Sequence, residues 1–81
     1  MNIKNLEKIE SQTLRRLISH LQSRTDVQNI DIMNLTGFCR NCLYKWMYEA
    51  AKGSDDALSV EEAQEYVYGM PYDDWKKKFQ K

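Results

Sequence analysis

Two cysteines in 81 residues, Cys39 and Cys42, form a C-x-x-C pair, and with the sole histidine, His20, they are the side chains whose types could carry chemistry. Three chemistries use such residues. A redox pair needs the first thiol near a helix N-terminus, where its pKa falls and it becomes a nucleophile. That motif normally follows a strand in a βαβ unit, and no strand pattern precedes Cys39. A closed zinc site needs four ligands, and Cys39, Cys42 and His20 supply three, so an acid, a water or a residue of another copy would have to complete it. The third reading makes both thiols small core hydrophobes, since free Cys is among the most buried residue types. The cysteines lie on an apolar helical stripe between Phe38 and Leu43, so this third reading is preferred and neither a metal nor a cofactor is expected. No G-x-S-x-G, phosphate-cradling glycine loop or H-E-x-x-H occurs, and the expectation leans against an enzyme.

The element that must position the pair is the stretch Asn34 to Lys52. Its apolar residues Leu35, Phe38, Cys39, Cys42, Leu43, Trp46, Met47 and Ala50 keep one side of a 3.6-residue period continuously apolar. This predicts a central helix about 27 Å long. With Asp31 as its N-cap, Ile30 and Leu35 would form a hydrophobic staple, whereas a separate short helix over Val27 to Leu35 stopped at Gly37 is the competing start. Gly53 is expected to end the central helix. Tyr44 and Tyr48 lie one turn apart beside Arg40, just off the stripe, and all three are residue types enriched at interface hot spots. They are the expected partner-binding residues.

From Ile3 to about Arg24, Leu6, Ile9, Leu14, Leu17, Ile18 and Leu21 trace a first helical stripe, with Lys4, Lys8, Arg15 and Arg16 on the other side. Arg16, His20 and Arg24 form a basic row one turn apart that reads as a solvated flank. The polar connector Ser23 to Asp31 ends this helix. Ser59 and Glu62 make a capping box for a helix over Val60 to Tyr68, closed by Gly69, with Leu58 and Ala63 as a staple and Ala63, Tyr66 and Val67 facing inward. Pro71 suits the first turn of a last helix. Asp73 and Asp74 at its start and Lys76 to Lys78 at its end match the helix dipole. Tyr72, Trp75 and Phe79 would close over the core. The expected fold is all-α, a compact array of about four helices in a single helical domain over residues 1–81.

Twelve Lys and Arg balance twelve Asp and Glu, which removes the overall positive field expected of a nucleic-acid or anionic-membrane binder and lowers repulsion between copies. No apolar run is long enough to span a bilayer or to serve as a signal segment, so a cytoplasmic protein is expected. The runs TDVQNIDIMNLTGFCRNCLYKW and YGMPYDDWK resemble the signature segments of a family of short bacterial proteins, domain of unknown function 1244. The resemblance extends from the first helix to Trp75. It implies an all-helical fold in a bacterial cytosol and brings no activity with it. Together these features favour a non-enzymatic protein-interaction module and a homodimer; the alternative is a thiol redox or metal-binding protein using Cys39 and Cys42.

Overall fold

The structure, a computed structural model, describes residues 3–81. It is all-helical, with α1 Leu6–Ser23, α2 Asn29–Thr36, α3 Arg40–Lys52, α4 Val60–Tyr68 and α5 Tyr72–Phe79. Helix α3 packs most extensively on α4, and α4 also carries α1 and α5. The core is small. It consists of Ile18, Cys39, Ala63, Val67, Tyr68 and Trp75, together with the side chain of Arg40.

The expected central helix is divided in two. Gly37 stands at φ +81°, in the left-handed region, and its N–H donates to the Met33 carbonyl at 2.9 Å, which closes α2. The chain then extends through Cys39, at φ −151°, before α3 begins. Thr36 holds the bend, its hydroxyl donating to the Ile32 carbonyl at 2.8 Å and accepting from the Phe38 N–H at 3.4 Å. The N-cap of α2 is Gln28, not Asp31, and the Ile30–Leu35 staple does not form: Ile30 is 63% and Leu35 86% exposed.

The other ends follow their capping residues. Ser59 Oγ accepts from the Glu62 N–H and Glu62 Oε1 accepts from the Ser59 N–H, both at 3.0 Å, so the capping box starts α4 as expected. The backbone N–H of Ser59 holds the exposed Glu62 carboxyl below its ordinary range. Gly69, at φ +76°, ends α4, and α3 stops at Gly53. Pro71 is the N-cap of α5, with Asp73 and Asp74 in the first turn and Lys76 to Lys78 in the last. The inner face of α4 differs in one residue. Tyr66 is 41% exposed, and Tyr68 takes the inward place at 2%.

Helix α1 is held by its C-terminal half. Gln22 Nε2 donates to the carbonyls of Tyr66 and Val67 at 3.1 and 3.3 Å, and only Ile18 of α1 is buried. Along the N-terminal half every residue from 7 to 13 is exposed, Ile9 included at 47%. The molecule is correspondingly long, 44 × 26 × 20 Å. Among the described residues no helix is long and apolar enough to cross a membrane.

Candidate functional site

Residue 40 is the hub of the structure. Its guanidinium is 1% exposed and has no carboxylate partner among the described ion pairs. Instead Nη1 donates to the Val27 carbonyl at 2.9 Å and to Asn29 Oδ1 at 3.0 Å, while Nη2 donates to the Arg24 carbonyl at 2.8 Å and lies 3.5 Å from that of Leu21. The last two oxygens belong to the C-terminal end of α1, where carbonyls lack intrahelical donors and a cation is favoured. The fourth face of the guanidinium lies 4.9 Å from the Trp75 ring centre. Arg40 therefore ties the end of α1, the connector, α2 and α5 to the start of α3. Burial pushes its pKa down from the ordinary arginine value, but a guanidinium stays charged at neutral pH. An interior side chain cannot meet a partner on the surface, which corrects the expectation that Arg40 binds one.

Around this hub a second set of polar groups closes the core. Asn29 Nδ2 donates to the Tyr68 hydroxyl at 3.0 Å, and that hydroxyl donates to Asn41 Oδ1. Burial raises the Tyr68 phenol well above its ordinary pKa, opposed in part by the Asn29 contact. Gln28 links the same region to the C-terminus through the Phe79 carbonyl at 2.9 Å. Nothing in the apolar periodicity points to Asn29, Asn41 or Tyr68. Their only signal is their type, since a buried amide or phenol needs a partner.

The two cysteines begin α3: Cys39 is its N-cap and Cys42 its third residue. Both are free; Cys39 is buried and Cys42 partly covered. Cys39, Asn29, Asn41, Met33 and Tyr72 are among the residues lining an open cleft of about 420 Å³. His20 stays exposed on the last turn of α1. Among the described residues no three His, Cys, Asp or Glu side chains form a metal-binding cluster. Arg24 of the basic row turns away from Arg16 and His20 to grip Asp26 through two contacts of 3.0 Å.

On α3 the aromatic residues exchange the places expected of them. Tyr44 and Tyr48 are half-buried, with the Lys52 ammonium 4.7 Å over the Tyr48 ring. Trp46, expected in the core, is 55% exposed and touches Phe38 at 6.1 Å between ring centres. It borders an apolar groove of about 300 Å³ between α1, α3 and α4, lined by Leu14, Ile18, Leu43, Trp46, Met47, Ala50 and Val67. No polar residue lines it. The packing agrees: α3 and α1 are both seated on α4, and Trp46 and Ala50 of α3 stay exposed.

A family model described as a protein of unknown function, DUF1244, matches residues 27–81. The chain belongs to the DUF1244 family. The matched stretch holds Arg40, both cysteines and the Asn29–Tyr68–Asn41 network, while α1 lies outside it. No curated protein matches the chain. The matched segment thus holds every side chain of the buried polar hub, while the Leu21 and Arg24 carbonyls that Arg40 meets lie outside it.

Proposed function

We propose that this member of the DUF1244 family is a non-enzymatic protein-interaction module of the cytoplasm, built as one helical domain, and that its working surface is the groove between α1, α3 and α4. The observation that carries this reading is Trp46, an indole 55% exposed at the edge of a purely apolar groove. Binding pockets are predominantly apolar concavities, and Trp is among the residue types enriched at hot spots. Its partners are other proteins, a second copy of the chain among them. Tyr44 and Tyr48, half-buried on the opposite flank of α3, are further candidate contacts apart from the groove. A photo-reactive benzophenone side chain placed at residue 46 in the producing cell tests the reading. Irradiation should give a discrete protein adduct that the same group at Lys77 does not give. Absence of any adduct specific to position 46 would overturn it.

A second reading is favoured by one observation, the placement of Cys39 as N-cap and Cys42 in the first turn of α3. A dithiol there would exchange with a disulfide substrate, one thiol attacking to form a mixed disulfide and the other resolving it to release the substrate's two thiols. Cys39 is only 6% exposed, so its thiol reaches solvent poorly. Native labelling with a thiol reagent separates the readings. Slow modification of Cys39 that accelerates on unfolding fits the interaction module, and rapid native modification at neutral pH fits the thiol pair.

A further inference from the structure

We infer that the groove is filled by α1 of a second copy of this chain, the two copies placing their α1 helices in each other's grooves about a two-fold axis; the inference rests on the interaction-module reading and names its partner. The first support is area. A compact monomer of 9.6 kDa exposes about 5,100 Å² by the usual scaling of surface with mass. This chain exposes 6217 Å², an excess of about 1,100 Å² over that scaling. A standard interface removes about 800 Å² from each partner, the same order as the surplus surface of this elongated chain. The radius of gyration agrees, at 13.8 Å against about 12 Å for a compact chain of this length.

The second support is where that surface lies. Residues 7 to 13 in the N-terminal half of α1 are all exposed, yet the helix carries the stripe of Leu6, Ile9, Thr13 and Leu17, of which Ile9 is 47% and Leu17 38% exposed. Helical stripes of this kind form where a second apolar surface covers them. The groove begins at Leu14 and Ile18 of the same helix, so ridge and groove lie side by side on one molecule. A two-fold rotation then satisfies both at once, each ridge in the other's groove, which is the self-complementarity an isologous dimer requires. Zero net charge removes the overall repulsion that would oppose it. Leu35 of α2 is more exposed still, at 86%, but it lines neither this groove nor the cleft beside Cys39, and it serves as the control.

Sedimentation velocity of the full chain from 1 to 200 μM tests the inference. The wild type should form a particle of twice the chain mass. Ile9→Glu, on the exposed stretch of α1, should keep its helical circular dichroism and raise the dimer dissociation constant about 30-fold or more, as expected for a hot-spot contact. Leu35→Glu should leave the dimer intact. A wild type that stays monomeric to 200 μM, an Ile9→Glu variant that dimerises normally, or a dimer broken by Leu35→Glu would each overturn the inference. The benzophenone at residue 46 keeps the two readings apart. A monomeric wild type that cross-links to a different protein removes the homodimer and retains the interaction module, whereas a monomer with no adduct removes both.

Discussion

Replacing Arg40 by Lys should destabilise the fold by at least about 2 kcal/mol although charge and length are nearly conserved. The guanidinium reaches oxygens on two sides, Val27 and Asn29 from Nη1 and Arg24 from Nη2, at 2.8 to 3.0 Å. An ammonium is a point donor and cannot span that fork. The Arg24 carbonyl would keep the Val27 N–H at 3.1 Å, but no other donor is described for the Val27 carbonyl or for Asn29 Oδ1. Each buried acceptor left without a partner costs about 1 to 3 kcal/mol. Arg40→Met removes the charge as well as its desolvation penalty, yet it orphans both acceptors and loses the Trp75 contact, for an expected loss of about 3 to 5 kcal/mol. The whole fold is worth roughly 4 to 12 kcal/mol. Urea unfolding followed by circular dichroism, at one fixed concentration so that association does not vary, measures both losses. Thermal midpoints should fall by more than about 12 °C for Arg40→Met. An Arg40→Lys variant within 0.5 kcal/mol of wild type, a margin of roughly the size seen for inert surface changes, would refute the reasoning.

Other perturbations separate the positions just as sharply. Trp75→Ala, at 2% exposure, should lose about 3 to 5 kcal/mol by denaturant unfolding, while Trp46→Ala at micromolar or lower concentration should leave the helical signal intact. Gly69→Ala should lose more than Gly37→Ala: both stand at positive φ, at about 1 kcal/mol each, but an added Cβ at residue 69 would come within 3.0 Å of Gln22 Cδ and disturb the α1–α4 contact, whereas at residue 37 it meets nothing within 4 Å. Ser59→Ala removes the α4 cap and should cost about 1 kcal/mol in the same assay. Stability should fall as pH rises above about 10, because the unfolded Tyr68 phenol then ionises while the folded one, its pKa raised by burial, holds its proton. Tyr68→Phe should flatten that fall in urea midpoints compared between pH 8 and 11.

How much of this could be read from the chain depends on the range of the interaction involved. Local chemistry was legible: Ser59 with Glu62, Gly69, Pro71 and the charges of α5 mark their helix ends within a few residues, and the stripes of α1 and α3 predict an all-helical fold. The break at Gly37 was legible only as the competing start, a short helix stopped there, because a glycine inside a helix costs only about 1 kcal/mol and a continuous apolar stripe outweighed it. Arg40 was misread as a surface residue because its partners are backbone carbonyls, which leave no mark in the sequence, and no acid stands at helical spacing to announce a buried pair. Trp46 was misplaced for a different reason. Periodicity defines a wide apolar arc on α3, and only the packing on α4 decides which edge of that arc stays open. Tyr66 and Tyr68 likewise exchange roles, since the hydroxyl of Tyr68 reaches Asn29 and Asn41, partners far away in the chain.

The accessibility of Trp46 tests the central claim most directly. Of the two indoles, Trp75 is 2% and Trp46 55% exposed, so iodide quenching of the intrinsic fluorescence reports on the groove. If a second copy covers it, the fraction of emission open to iodide should be large at 1 μM and should fall steeply as the protein is brought to 200 μM, with Ile9→Glu remaining quenchable throughout. A quenchable fraction that stays constant across that range would contradict the account.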